Sequence, residues 1–151
     1  MGYKVIINSN EIKFSASHFL KEPLKCSRLH GHNYYVSVEL EAELDENHFV
    51  EDFIKLKEKV KEIIKNLDHF ILIPEKSSDF KFKRNQDSLE VITSNKRYVF
   101  PLSEVVFLPI SATTSEMLAK YIHDKIKEYY QNKKVTVKLE ESKDSIAVYE
   151  D

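Results

Sequence analysis

Residues 32–44 constrain the fold most tightly. His32, Tyr34, Val36, Val38, Leu40, Ala42 and Leu44 alternate with Ser37, Glu39, Glu41 and Glu43. Period-2 alternation over this length specifies a strand with one face in a core and the other in water. Such a strand needs partners, and the chain offers several. Residues 3–7 (YKVII) and 11–19 (EIKFSASHF) read as extended, with Ile12, Phe14, Ala16 and His18 on one parity and Lys13, Ser15 and Ser17 on the other. Residues 134–141 (KVTVKLEE) and 145–149 (SIAVY) read as two more strands.

Between these strands the period changes. In 52–67, Phe53, Leu56, Val60, Ile63, Ile64 and Leu67 recur at helical spacing, with Asp52 as N-cap. Residues 113–130 give a second helix: Thr113 with Glu116 fits a capping box, and Met117, Leu118, Tyr121, Ile122, Ile126 and Tyr129 or Tyr130 supply its apolar face. Residues 75–98 are polar and irregular, apart from a short hairpin at 89–99 turning on Ser94-Asn95; Pro101 and Pro109 frame another short apolar run. The order β-β-α-α-β-β predicts an α+β fold, an antiparallel four-stranded sheet with two helices on one face. The 151 residues, without repeats or a linker, read as a single domain, 1–151, with a variable insertion at about 74–109.

The formal net charge of −2 gives no basic field for nucleic acid. No apolar run is long enough to span a membrane, and the N-terminal residues lack the apolar region of a signal peptide. Cys26 is the one cysteine, so no internal disulfide forms, and a cytoplasmic location is expected.

His30 and His32 flank Gly31, one of only two glycines. If the strand begins at or before His30, both imidazoles leave its inward face. His18 ends the inward parity of the preceding strand, so an antiparallel pairing brings all three together. An isolated histidine is more often an ordinary core residue; three inward imidazoles on adjacent strands favour a zinc site with three protein ligands and an open fourth position. Glycine between two of them allows close backbone approach. His48 and His123 have no such company and read as surface residues.

Three further features carry two readings each. Cys26 is either an inert thiol or, beside Lys25 and Arg28, a thiolate able to act as base or nucleophile. Asp68-His69 is either an oriented acid–imidazole pair or a histidine suited to a helix C-terminus. Glu141 ends the inward stripe Val135, Val137, Leu139. It is either frayed into solvent or paired with a ligand edge rich in N–H donors, such as that of a pterin or guanine.

Taken together, "FSASHFL" (14–20), "CSRLHGHNYYVSVELEAEL" (26–44), "DFIKLKEKVKEIIKNLDH" (52–69), "TSEMLAKYI" (114–122) and "ESKDSIAVY" (141–149) resemble the 6-pyruvoyltetrahydropterin synthase / 6-carboxytetrahydropterin synthase family. The resemblance implies the tunnelling fold, in which subunits join through their sheets into barrels, as a hexamer of two stacked trimers with active sites at subunit interfaces. It implies zinc on His18, His30 and His32, proton handling by Cys26, and a relay of Asp68 with His69. It further implies a pterin anchored by Glu141 and touched by Thr114 and Ser115. Glu140 stands beside the anchor, but Ala147 and Tyr149 keep the family's spacing from Glu141. The three residues between Cys26 and His30-Gly31-His32 look like the 6-carboxytetrahydropterin branch. That branch converts 7,8-dihydroneopterin triphosphate to 6-carboxy-5,6,7,8-tetrahydropterin, acetaldehyde and triphosphate in 7-deazaguanine and queuosine biosynthesis. The alternatives are the pyruvoyl-forming reaction, an aldolase-like release of glycolaldehyde, and a non-catalytic zinc or purine-binding module.

Overall fold

The computed structural model describes residues 2–151, apart from the Ser9 side chain. Strand β1 (Tyr3–His18) pairs antiparallel with β2 (His30–Ala42), with the register broken between Asn8 and Lys13. The two extended segments expected at 3–7 and 11–19 are thus one irregular strand. β2 continues antiparallel into β8 (Lys134–Ser142), and β8 into β9 (Ser145–Glu150). Alternation places the apolar parity inward: Ile12, Phe14, Val36, Val38, Leu40, Val135, Val137 and Leu139 are all buried. β2 ends at Ala42, so Leu44, expected to continue the inward stripe, is exposed.

The sheet is larger than four strands and is not purely antiparallel. Its order is β7-β3-β1-β2-β8-β9, and β3 (Phe70–Pro74) and β7 (Val105–Leu108) join the β1 side in parallel pairings. Both are short continuous apolar runs. Successive side chains of a strand point to opposite faces, yet neighbours Leu72 and Ile73 are each fully buried. Ile73 belongs to a second core with Phe19, Leu89, Val91, Phe100 and Val105, whereas Leu72 belongs to the main one. A strand covered on both faces shows no alternation to read.

The stretch expected to be irregular also holds structure. β4 (Lys81–Arg84), β5 (Ser88–Ile92) and β6 (Arg97–Pro101) form a separate antiparallel three-stranded sheet. The expected hairpin is β5–β6, and Ser94-Asn95 lies in its turn, closed by the Thr93 N–H donating to the Lys96 carbonyl at 2.9 Å.

Helix α1 (Phe53–Lys65) is capped by Asp52, whose carboxylate accepts from the Ile54 N–H at 2.8 Å. Leu56, Val60 and Ile64, at four-residue spacing, are buried against the sheet, while Phe53 at the open first turn is 54% exposed. Helix α2 (Ser115–Lys127) starts two residues later than expected. Its cap is Thr114, which accepts from the Met117 N–H at 3.3 Å, rather than Thr113 with Glu116. Thr113 is fully buried and serves the site described below. His123 is not a surface residue either: it lies on the buried face with Ala119, Ile122 and Ile126 and is 3% exposed. It survives there because its Nδ1 lies 3.0 Å from Asp124 Oδ1 and its Nε2 3.0 Å from Asp151 Oδ1. His48 is exposed, as expected. Tyr130, not Tyr129, completes the apolar face.

Candidate active site

The β1–β2 register sets His18 opposite His30 and Ala16 opposite His32. The three imidazoles therefore meet on the inward face, where the core stripe ends. The ring centroids of His18 lie 4.7 Å from His30 and 5.1 Å from His32, and one nitrogen from each residue falls within 4.8 Å of the other two.

Two of the three rings are turned by a specific partner. The His18 Nδ1 meets the Thr113 carbonyl at 2.8 Å, and the His30 Nδ1 meets the Arg28 carbonyl at 2.6 Å. A carbonyl only accepts, so both Nδ1 atoms carry the proton and both Nε2 atoms present lone pairs to the site. The His32 Nε2 is buried without a hydrogen-bond partner; Glu141 Oε1 lies 3.3 Å from it but outside hydrogen-bond geometry. Burial pulls the His18 imidazole down to about 4, against the Thr113 hydrogen bond and with the help of the other two rings. Burial likewise lowers His32, opposed by the Glu141 charge. Three convergent imidazole donors, two of them oriented by backbone carbonyls and one orphaned, fit a borderline-soft divalent metal such as zinc.

The Gly31 backbone explains why no larger residue separates the two β2 histidines. Its φ is not positive. A Cβ built there would lie 3.2 Å from the Ala16 carbonyl oxygen and 3.5 Å from the Ser17 Oγ. Close strand approach, rather than a bend, requires the glycine.

Glu141 sits at the β8–β9 irregularity between Glu140 and Ser142. Its Oε1 is 3.3 Å from the His32 Nε2 and 3.7 Å from the His18 Nε2. Glu140 lines a different cavity, with Asn8, Tyr35, Ser37 and Lys138 of the outward parity. Strand alternation thus separates the two acids, and only Glu141 meets the imidazoles. Glu141 also lines a cavity of about 540 Å³ with Ser115, Glu116 and Ala147. The Ser115 Oγ is buried there without a partner, whereas the Thr114 Oγ1 is spent on the helix cap.

Asp68 and His69 follow α1 and do not join this group. The Asp68 Oδ1 accepts from the Ser15 N–H at 2.8 Å and lies 3.0 Å from the His69 Nδ1. The His69 N–H donates to the Ser15 carbonyl, and the residue adopts a φ of 68°. Its side chain is 80% exposed. It lines a cavity of about 510 Å³ with Ser15, Ser17, Gly31 and Asn33, all of the outward parity, and with His32. Cys26 lies in a short 3-10 turn, Leu24–Ser27, and is half-buried. The Leu20 N–H donates to its carbonyl at 2.8 Å, tying the turn to the end of β1 two residues beyond His18.

Two residues of the site escape a reading of the sequence. Tyr34 is fully buried beneath the imidazoles, its hydroxyl 3.5 Å from the His18 Nε2; burial and the Glu141 charge push that phenol far above its ordinary value. It follows His32 on the inward parity, which is the signal for it. Thr113 acts through its carbonyl, 95 residues from His18, and no local pattern marks it.

Comparisons with known proteins bear on the family and the fold. The family model for 6-pyruvoyl tetrahydropterin synthase matches residues 8–151. A Methanocaldococcus jannaschii protein named putative 6-carboxy-5,6,7,8-tetrahydropterin synthase is 35% identical over 122 residues, 80% of this chain and 75% of that one. A Pyrococcus horikoshii protein of the same name is 34% identical over 140 residues, 89% of this chain and 83% of that one. The solved 6-pyruvoyl tetrahydropterin synthase of Plasmodium falciparum overlays with a TM-score of 0.91 at 28% identity, covering 99% of this chain and 97% of that one. So complete an overlay takes in the 74–109 stretch as well.

Proposed function

This chain belongs to the 6-pyruvoyl tetrahydropterin synthase family, and we propose that it is a zinc-dependent lyase. It acts on 7,8-dihydroneopterin triphosphate to give 6-carboxy-5,6,7,8-tetrahydropterin, acetaldehyde and triphosphate, a step of 7-deazaguanine biosynthesis. The observation that carries the reading is the meeting of His18, His30 and His32, one nitrogen from each within 4.8 Å of the others, beside Glu141, with the His18 and His30 Nε2 lone pairs free. The relatives named 6-carboxy-5,6,7,8-tetrahydropterin synthase support the choice of product.

His18, His30 and His32 hold the zinc. When bound, zinc supplies Lewis-acid polarisation of the substrate's side-chain oxygens. The Glu141 carboxylate accepts the pterin's adjacent amino and ring N–H donors, a bidentate, charge-assisted pairing. Ser115, whose hydroxyl is otherwise unpartnered, supplies a further hydrogen bond to the ring, and Thr114 holds the helix start that presents it. Cys26 moves one proton. His69 moves another, with Asp68 fixing its Nδ1–H and stabilising its charged form. His69 is exposed and lies outside the imidazole cluster of its own chain, so the relay serves the site of a neighbouring subunit in a homo-oligomer of two stacked trimers.

A second reading, the pyruvoyl-forming elimination on the same substrate, is favoured by the overlay on the Plasmodium falciparum synthase, which includes the three-stranded sheet. Zinc-loaded protein incubated with 7,8-dihydroneopterin triphosphate, with products identified by mass spectrometry, decides between them. Carboxy-pterin with acetaldehyde is expected. Pyruvoyl-pterin replaces the first reading with the second, and glycolaldehyde points to aldolase-like cleavage. No conversion of any dihydropterin overturns the enzyme assignment in favour of a zinc or purine-binding module.

A further inference from the structure

The turn that carries Cys26 is held by local hydrogen bonds and by the Leu20 N–H on the Cys26 carbonyl, not by burial. The Cys26 and Ser27 N–H groups donate to the Pro23 carbonyl at 2.9 and 3.0 Å, and none of the residues Leu24–Ser27 is buried. A turn of this kind, closed by a few backbone bonds and without core contacts, opens readily on its own.

Two side chains of the three-stranded sheet reach it from outside. The Lys96 Nζ donates to the Ser27 carbonyl at 2.8 Å, and the Tyr98 hydroxyl stands 3.5 Å from the same oxygen. Lys96 is itself held by the β5–β6 turn: its N–H donates to the Thr93 Oγ1 at 3.1 Å. The Tyr98 ring stacks on Phe19 at 4.9 Å, and Phe19 follows His18 directly. The sheet therefore grips both ends of the segment between His18 and Ser27. A lysine left in solvent keeps its rotamer freedom; Lys96 gives it up for a charge-assisted bond to one carbonyl. That carbonyl lies between Cys26 and Arg28, and the Arg28 carbonyl in turn fixes the His30 Nδ1.

We propose that Lys96, seconded by Tyr98, is a positioning residue that holds the Cys26 turn in register with the imidazole site through the Ser27 carbonyl. The inference rests on the reading of Cys26 as a proton carrier. On this reading the three-stranded sheet braces the reactive turn from outside the main core.

Cys26 is the only cysteine, so alkylation by iodoacetamide reports this turn alone. In the zinc-loaded protein, Lys96→Met is expected to raise the alkylation rate at least threefold. It is expected to lower kcat about tenfold with KM changed less than twofold, while zinc content and melting temperature stay at wild-type values. Lys96→Arg, which keeps a donor, restores both rates. Tyr98→Phe gives a smaller change in the same direction. Wild-type alkylation in Lys96→Met overturns the tether, and faster alkylation with unchanged kcat overturns its part in the reaction. Alkylation is read without substrate, so failure of the tether is distinct from failure of the Cys26 assignment, which undiminished turnover by Cys26→Ala would establish.

Discussion

Burial prepares His18 for the part of metal ligand proposed for it. An imidazole that takes up its proton near 6.5 when unfolded does so only near 4 here, because burial disfavours the charged ring. A group with a depressed folded value contributes stability that is present above its unfolded value and is lost as pH falls through its folded value. Between pH 6.5 and 4 the unfolded chain binds more protons than the folded one. The metal-free protein should therefore lose about 3 kcal/mol across that window from this residue alone, read by urea unfolding at several pH values with chelator present. In His18→Gln the slope should flatten. Zinc retention in the folded protein should fall only as pH drops to about 4, where the buried ring begins to take up its proton, since only the neutral ring ligates. Glu141 yields a separate prediction. Removing its charge in Glu141→Gln weakens the pterin pairing by roughly 1.5–3 kcal/mol, a rise of about ten- to a hundredfold in KM, with zinc content unchanged.

At the scale of the element, β1 and β2 act as a jig. Their register puts His18 against His30, and their close approach at Gly31 leaves a Cβ only 3.2 Å from a backbone oxygen that is itself fixed in the sheet. Gly31→Ala should cost about 1 kcal/mol in urea unfolding and should also weaken zinc binding, because the strain falls between two ligands. A loss of stability with zinc affinity untouched would separate the glycine from the metal site. These two strands were legible in the sequence because alternation is a property of one segment: the backbone sends successive side chains to opposite faces whatever packs on them. The α1 face was legible for the same reason. β3 and β7 were not, since both of their faces are covered and the period vanishes. The cap of α2 slipped from Thr113 to Thr114 because Thr113 is drawn into the core to receive the His18 Nδ1–H, a demand set from across the fold. His123 has no company nearby in sequence to mark it as buried: a polar ring on a buried face is tolerable only with partners, and one of them, Asp151, is distant in sequence.

Across the whole molecule, the imidazoles face the helices while His69 lies exposed among residues of the outward parity. If the site is completed by a neighbouring subunit, two inactive variants can repair each other. His32→Ala and His69→Ala should each lack turnover, and co-expressed hetero-oligomers should recover roughly a quarter of the wild-type rate, the share of mixed interfaces that contain both intact halves. No recovery in verified mixed oligomers would place both halves in one chain. The inward histidines, their shared face, the antiparallel strands that carry them and the amphipathic face of α1 were all legible in the chain's own residue pattern. All of these follow from short-range backbone periodicity. Contacts between distant segments set the six strands of the sheet, among the described residues, and their mixed directions. The same contacts bring Glu141 rather than Glu140 to the imidazoles, bring Lys96 and Tyr98 to the Ser27 carbonyl of the Cys26 turn, and leave Asp68-His69 outside the imidazole cluster. Each depends on which distant segments meet, and burial on two faces or contact across the fold leaves no local period to read.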